Sequence, residues 1–171
     1  MSEITVRALE PTEWEKYKAC RLTALQEAPD AFAADYDTEA AYEEALWLER
    51  MGRATRVIAE TAKVKEAAGI VSLRPDEAIY ENALEAFGLW VAPDERGTGV
   101  ATALMEFATA YAADAGHGSL IYWVGTDNGR AVAFASSFGF RPTEYRRPME
   151  HSVDTDEDDE EELAMVYALR P

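Results

Sequence analysis

The sequence has little cysteine and histidine, and each shortage excludes a class of protein. Cys20 is the only cysteine in 171 residues, so an internal disulfide framework and a multi-thiolate metal site are both excluded. The two histidines, His117 and His151, lie too far apart in the chain to suggest a metal centre. No apolar run reaches membrane-spanning length, and the N-terminal residues lack the basic and apolar regions of a signal peptide. The sequence therefore predicts a cytoplasmic protein without a metal and without membrane association.

Basic residues are also scarce relative to acidic ones. Lysine and arginine total 16 against 33 acidic residues, which gives a net charge of −17. Such a field argues against a nucleic-acid partner and favours a cationic partner or substrate. Eight of the acids lie between Asp154 and Glu162, so residues 152–162 are predicted to form a solvated, mobile loop. The length and the lack of a linker predict one domain, residues 1–171.

One stretch, residues 86–111, combines a strand, a glycine-rich turn and a helix. Apolar residues lead to Pro93, the turn Arg96-Gly97-Thr98-Gly99-Val100-Ala101 follows, and apolar residues then recur at helical spacing. A turn of this kind at the start of a helix leaves several backbone N–H groups without partners at the positive end of the helix dipole. The stretch therefore predicts an anion-binding site.

The details of the turn narrow the choice of anion. A nucleoside-triphosphate loop needs a lysine, and no lysine follows Glu66. A dinucleotide fingerprint needs a third glycine where Thr102 stands. The pattern that fits is (Gln/Arg)-x-x-Gly-x-(Gly/Ala), with Arg96, Gly99 and Ala101 at its three specified positions. In this the sequence resembles the GNAT superfamily of acyl-CoA-dependent N-acetyltransferases, whose pyrophosphate loop has this pattern.

A second stretch resembles a later motif of the same superfamily, Asn-x-x-Ala-x-x-(apolar)-Tyr-x-x-x-Gly-Phe. Asn128, Ala131, Phe134, Gly139 and Phe140 stand in register with it. The two motifs occur in the right order, about 30 residues apart, with a helix and a strand predicted between them. Together they are far more specific than either motif alone.

The remaining segments are compatible with this resemblance. The patterns of apolar residues predict strands at 4–8, 55–60, 67–73, 83–91, 120–124, 141–149 and 163–169. They also predict one helix from a capping box at Thr12 and Glu15 to Ala28, and a second helix at 38–50. A third helix follows the glycine-rich turn and is closed by Gly116 or Gly118, and a fourth lies between the capping residues 126–128 and Gly139. The resemblance implies an α+β, three-layer fold: a mixed, mostly antiparallel sheet of six to seven strands, splayed at its central strands and flanked by about four helices. The region of the first two helices and the loop between them resembles the part that covers the acceptor, which makes Phe32, Tyr36 and Trp47 candidate pocket walls. For each of them, core or surface packing is the more common role.

The resemblance also implies the chemistry, which is direct acyl transfer from acetyl-CoA to an amine. By position, the backbone of Leu89, Trp90 and Val91 is expected to pair with the pantetheine arm. The residues expected to bind the cofactor through the loop and the second motif are Arg96, Gly97, Thr98, Gly99, Val100, Ala101, Thr102 and Asn128. The role of Arg96 could be either charge or structure. Acetyl-CoA is thus the expected acyl donor, with no metal.

Glu85 is the first candidate for the general base, because a carboxylate at this point of the strand serves some members of the family. Glu60 and Glu81 are alternatives, and Glu85 could instead face solvent on the other side of the strand. The main departure from the family is Ala135, which replaces the frequent proton-donating tyrosine. A donor such as Tyr122 or Tyr145 is one explanation.

Two further explanations of this departure are protonation of the thiolate by water and a protein that binds CoA without efficient catalysis.

From the two motifs, the sequence predicts an N-acetyltransferase that acts on a primary amine of a small molecule or a peptide. The alternative is a non-catalytic module that binds or senses acyl-CoA. An exposed final strand would allow a homodimer.

Overall fold

Seven strands and five α-helices make up the part of the chain that the computed structural model describes, residues 3–28, 35–62, 64–148 and 161–169, with the backbone alone for 64–66. The strands are β1 (Thr5–Ala8), β2 (Thr55–Thr61), β3 (Val64–Pro75), β4 (Ala83–Val91), β5 (Ser119–Gly125), β6 (Arg141–Pro148) and β7 (Glu161–Ala168). The helices are α1 (Trp14–Glu27), α2 (Tyr36–Ala40), α3 (Glu44–Arg53), α4 (Val100–Asp114) and α5 (Gly129–Phe138).

The strands form one mixed sheet in the order β1-β2-β3-β4-β5-β7-β6. β4 and β5 run parallel, whereas β1 with β2, β2 with β3, β5 with β7 and β6 with β7 are antiparallel. The parallel pairing extends from Ala83 with Ser119 to Ala86 with Tyr122, although β4 continues to Val91. These features confirm the predicted α+β fold with a mixed, mostly antiparallel sheet of seven strands. The described residues contain one α-helix more than the four expected.

The extra helix arises because the helix predicted at 38–50 is two helices. The Asp35 carboxylate caps α2 by accepting a hydrogen bond from the Thr38 amide at 3.1 Å, and α2 ends at Ala40. α3 begins only at Glu44. On one unbroken helix, positions 42 and 47 would point about 140° apart. The break instead brings the Tyr42 and Trp47 rings to 5.9 Å between centroids.

Within the described residues, the chain forms two compact units, Met1–Arg74 with Gly88–Ala108, and Pro75–Phe87 with Thr109–Pro171. The core of the first unit contains side chains of α1, α3, β2, β3 and β4, among them Tyr17, Trp47, Ile58, Ile70 and Trp90. Burial of such apolar surface stabilises a fold by roughly 25 cal/mol per Å². The prediction that residues 1–171 form one domain stays a prediction.

Gly69 sets the closest approach inside the first unit. A Cβ atom at this position would lie 2.8 Å from Val100 Cγ1 and 2.9 Å from the Trp90 carbonyl oxygen. Because real Cβ atoms do not approach other atoms so closely, only glycine lets β3 lie directly against the end of β4 and the start of α4. Gly69 therefore positions both ends of the loop at 92–99.

The second unit has a core cluster on one face of its strands, formed by Ala83, Ile121 and Ala164. On the opposite face, α5 packs through Phe138, whose ring lies 5.6 Å from that of Tyr167. Tyr122 points to this same face and contacts the Phe140 ring at 5.9 Å. One face of this part of the sheet therefore carries small and aliphatic core side chains, and the other carries the aromatic side chains that contact α5 and the residue after it.

Two sequence predictions concern residues at the limits of the described segments. Glu161 and Glu162, the last residues of the predicted acidic loop, are the first residues of β7. The rest of that loop, 152–160, lies outside the described residues, as does Phe32.

α4 is 15 residues long, and no helix of the described segments combines the length and apolarity that a membrane crossing requires.

Candidate functional site

The loop between β4 and α4 lies in the first unit and is exposed over Arg96–Gly99. A 3₁₀ turn, Pro93–Glu95, follows the end of β4, where the Ala92 amide donates to the Ala68 carbonyl oxygen at 2.8 Å. Gly97 and Gly99 then adopt φ values of 81° and 96°, in the left-handed region that favours glycine. A Cβ at Gly97 would meet no atom within 4 Å, so the backbone conformation, and not internal space, requires glycine here.

The backbone amides at the start of α4 are available to an anion. The first hydrogen bond into the helix runs from the Ala103 amide to the Gly99 carbonyl oxygen at 2.9 Å. The amides of Val100, Ala101 and Thr102 precede this bond, so the helix itself offers them no acceptor. They lie at the positive end of the dipole of a 15-residue helix. The arrangement is suited to binding a phosphate group through main-chain donors.

Arg96 points back toward its own unit. Its Nε donates to the Val91 carbonyl oxygen at 3.1 Å, and its Nη2 donates to the Glu27 carboxylate. The Trp90 indole donates to the same carboxylate at 3.0 Å. Of the two roles left open for Arg96, the structural one is therefore observed: the arginine ties the loop to β4 and α1. Glu27 was not predicted as a site residue, although an acidic side chain in the last turn of a helix opposes the helix dipole and therefore indicates a specific partner.

The strand before the loop carries a second feature that sequence analysis missed. Gly88 has a φ of 67° inside β4, as in a β-bulge. A glycine within an otherwise apolar strand is the sequence signal for such a bulge. Beyond it, the predicted pantetheine-contacting residues follow as half-buried Leu89, buried Trp90 and half-buried Val91. These three residues and the loop all belong to the first unit.

Glu85 lies in the second unit and is buried, with 1% of its surface exposed. The alternative that it faces solvent is therefore wrong. Its Oε2 lies 3.4 Å from Arg147 Nη2. Arg147 also donates through Nε to Glu162 Oε1 at 2.9 Å, and its Cζ lies 4.2 Å from the centroid of the Trp123 ring. Sequence analysis named none of Arg147, Glu162 and Trp123 as functional residues.

The two alternative bases have less suitable surroundings. Glu60 lies in the first unit, where Arg7 at 2.8 Å and Lys16 hydrogen-bond to its carboxylate. These hydrogen bonds lower the pKa of Glu60 below its ordinary value, which makes this carboxylate a weaker proton acceptor. Glu81 is exposed. Glu85 also contacts a cation, Arg147 at 3.4 Å, but its carboxylate is buried whereas the other two contact solvent, so Glu85 stays the first candidate for the base.

Ala135, at the position of the family's tyrosine, is fully buried in α5. Tyr122, the first of the two proposed substitutes, is less acidic than an ordinary tyrosine, because burial and the Glu162 charge raise its pKa to about 12. A thiol has a pKa of about 8.5, so proton transfer from Tyr122 to a thiolate would be unfavourable by about 5 kcal/mol. Tyr145 is 40% exposed and rests against the Tyr80 ring. Tyr122 is thus a poor proton donor, which leaves Tyr145 and water as the candidates for that role.

The second sequence motif forms the α5 helix and its two ends. The Asn128 side chain caps α5 by accepting a hydrogen bond from the Ala131 amide at 3.1 Å. Gly139 ends the helix with a φ of 129°, and its amide donates to the Ala135 carbonyl oxygen at 3.1 Å. Phe140 then packs against the Tyr122 and Tyr167 rings. The observed role of Asn128 is therefore that of a helix cap, as its position in the sequence predicts.

Of the candidate pocket walls, Trp47 is fully buried in the core and contacts the Tyr17 ring edge-on at 5.8 Å between centroids. Tyr36 begins α2 and is half-buried. Trp47 is thus a core residue, which is the alternative that the sequence left open. Across the described segments, no group of three or more His, Cys, Asp or Glu side chains could hold a metal ion.

Comparison with known proteins identifies the family. The profile of the acetyltransferase (GNAT) family matches residues 21–140. Comparison with curated proteins finds no match. Among solved structures, a GNAT-family acetyltransferase from Streptococcus pneumoniae is similar with a TM-score of 0.71 at 20% identity, covering 98% of this chain and 100% of that one.

Two further structures share the fold. The ribosomal-protein-S18-alanine N-acetyltransferase from Escherichia coli has a TM-score of 0.67 at 20% identity, covering 99% of this chain and 96% of that chain. YncA from Salmonella typhimurium, a putative acetyltransferase solved with acetyl-CoA, has a TM-score of 0.68 at 17% identity, with the same coverage. The family profile spans more than half of the chain and contains both motifs, and the chain belongs to the GNAT family of acetyltransferases.

Proposed function

We propose that this protein is an N-acetyltransferase that transfers the acetyl group of acetyl-CoA to a primary amine of a small molecule or a peptide. The observation that carries the proposal is the loop at 96–102, where two left-handed glycines precede a helix whose first amides have no acceptor within the helix. Acetyl-CoA supplies the acyl group and, through its pyrophosphate, an anion that such amides bind. The YncA structure, which holds acetyl-CoA on the same fold, supports this choice of donor.

The proposed residue roles follow from position and burial. The amides of Gly97 to Thr102 bind the pyrophosphate, and the backbone of Leu89, Trp90 and Val91 binds the pantetheine arm. Glu85, through a carboxylate kept from bulk water, takes a proton from the acceptor ammonium. The neutral nitrogen then forms the new N–C bond as the thioester C–S bond breaks. The nitrogen gives its second proton to water, and water in turn protonates the departing thiolate. Asn128 contributes by fixing the start of α5.

A second candidate function is a module that binds acyl-CoA without transferring the acyl group. The observation that favours it is Ala135, which offers no proton where the family often has a tyrosine. A thiolate with a pKa near 8.5 leaves without strong assistance, so the loss of this donor removes little driving force. We therefore retain the enzyme as the main proposal. The cytoplasmic location and the homodimer remain predictions from the sequence.

Acetyl-CoA at about 100 times its dissociation constant is expected to raise the melting temperature of the protein by about 5–10 °C. Binding at this saturation stabilises the folded state by about 2.7 kcal/mol, and each kcal/mol shifts the midpoint by about 2–4 °C in a protein of this size. Differential scanning fluorimetry measures the shift, with ATP at the same concentration as a control for any phosphate-rich anion. Release of CoA with a panel of primary amines then separates the two candidates. Stabilisation without turnover on any amine would favour the binding module, and the absence of any shift would contradict both.

A further inference from the structure

Arg147 occupies a position in the second unit where a cation is held from three sides. Its guanidinium contacts the buried carboxylate of Glu85 at 3.4 Å and the carboxylate of Glu162 at 2.9 Å. Its Cζ lies 4.2 Å above the Trp123 ring, well inside the distance at which an aromatic face attracts a cation. Carboxylates together with an aromatic face are the groups that bind ammonium and guanidinium ions.

The sheet register explains why these groups converge. Arg147 pairs with Glu162 across β6 and β7, and Glu162 pairs with Gly125 of β5. Trp123 is two residues before Gly125, and side chains two positions apart on a strand lie on the same face. Glu85 pairs with Ile121, again two residues from Trp123. All four side chains therefore lie on the face opposite to the one on which α5 packs.

The cluster contacts solvent on the side of Arg147 and Glu162. The Arg147 side chain is 38% exposed and that of Glu162 is 21% exposed, whereas Glu85 is buried. The Arg147–Glu162 pair, in which both side chains contact solvent, contributes little net stability because water competes for both charges. A positively charged ligand that offers the same contacts can therefore replace the Arg147 guanidinium. The net charge of −17 favours the approach of such a ligand.

We propose that Glu85, Glu162 and Trp123 form a subsite for the ammonium group of the acceptor, and that Arg147 fills this subsite until the acceptor displaces it. The inference rests on the proposed function and names its substrate class as an amine that is positively charged when it binds. It also gives Arg147 a role as an internal competitor.

Removal of the internal competitor is expected to tighten the binding of a cationic probe. We expect Arg147→Ala to bind spermidine roughly tenfold more tightly than the unmodified protein in isothermal titration calorimetry, because no side chain then has to leave the subsite. Arg146→Ala is the matched control, since it removes the same charge from the neighbouring residue of β6, which is exposed. This control measures the attraction of spermidine to the acidic protein as a whole. We expect it to change the affinity by less than about twofold.

Glu162→Gln tests the subsite independently if Arg147→Ala folds poorly. It removes one carboxylate that contacts the cation, so spermidine should bind several-fold more weakly. Equal affinities in Arg147→Ala and Arg146→Ala, or an unchanged affinity in Glu162→Gln, would overturn the subsite. Thermal stabilisation by acetyl-CoA, measured on the same variants, should persist throughout. If acetyl-CoA does not raise the melting temperature of the unmodified protein, the proposed function fails, whatever the result for the subsite.

Discussion

Replacement of Glu85 by glutamine should lower kcat for acetyl transfer by at least about 100-fold at neutral pH, the contribution typical of a general base. Glutamine has nearly the same shape as glutamate, so the buried position keeps its packing, but the amide cannot accept the proton of the acceptor ammonium. Steady-state release of CoA with the best amine of the panel measures the effect. The affinity for acetyl-CoA should stay within about threefold, because this side chain lies outside the proposed acetyl-CoA-binding residues.

The pH dependence separates a catalytic defect from a structural one. A primary amine with a pKa of about 10.4 is largely protonated at neutral pH and needs a base, whereas near pH 10 a large fraction is already neutral. The difference in kcat between Glu85→Gln and the unmodified protein should therefore shrink as the pH approaches 10. Glu81→Gln is the control, because Glu81 is exposed and precedes the same strand. A kcat for Glu85→Gln within about threefold of normal at neutral pH would exclude Glu85 as the base.

Replacement of Gly99 by alanine should weaken acetyl-CoA binding by roughly tenfold or more. The φ of 96° at Gly99 lies where an L residue costs about 1–3 kcal/mol, so alanine drives the backbone toward a different conformation. Because the first helical hydrogen bond ends on the Gly99 carbonyl oxygen, that change also reorients the amides that follow it. Isothermal titration with acetyl-CoA measures the loss.

The loss of acetyl-CoA affinity in Gly99→Ala must be distinguished from a general effect of replacing a glycine by alanine. A Cβ at Gly99 would meet only Ile4 Cδ1 at 4.0 Å, so crowding inside the protein does not account for it. Gly52→Ala is the matched control: Gly52 lies within α3 without a positive φ, and a Cβ there meets nothing within 4 Å. This variant should gain up to about 1 kcal/mol of helix stability and bind acetyl-CoA normally. Equal affinities in the two variants would contradict the role of the loop.

The sequence predicted those parts of the site that depend on local backbone chemistry. Pro93 ends β4, Gly97 and Gly99 take left-handed conformations, and Val100 begins a helix, all within one short stretch. Asn128 and Gly139 likewise define the two ends of α5 through hydrogen bonds that span only three or four residues. Such features depend on residue type and spacing, which are visible without knowledge of the fold.

The contacts that the sequence did not predict join residues far apart in the chain. Arg147 is 62 residues from Glu85, and the pair forms because the registers of β4, β5, β7 and β6 place both side chains on the same face of the sheet. Glu27 is 69 residues from Arg96. No local pattern specifies the order of strands or the partner of a charged side chain.

The central claim is that the amides at 97–102 bind the pyrophosphate of acetyl-CoA. Isothermal titration of the unmodified protein with acetyl-CoA and with S-acetylpantetheine, which lacks the pyrophosphate and the nucleotide, tests it directly. Hydrogen bonds to charged groups contribute about 1.5–3 kcal/mol each, so loss of at least two should weaken binding about 100-fold or more. In Gly99→Ala this difference between the two ligands should be smaller. Equal affinities of the unmodified protein for the two ligands would contradict the account.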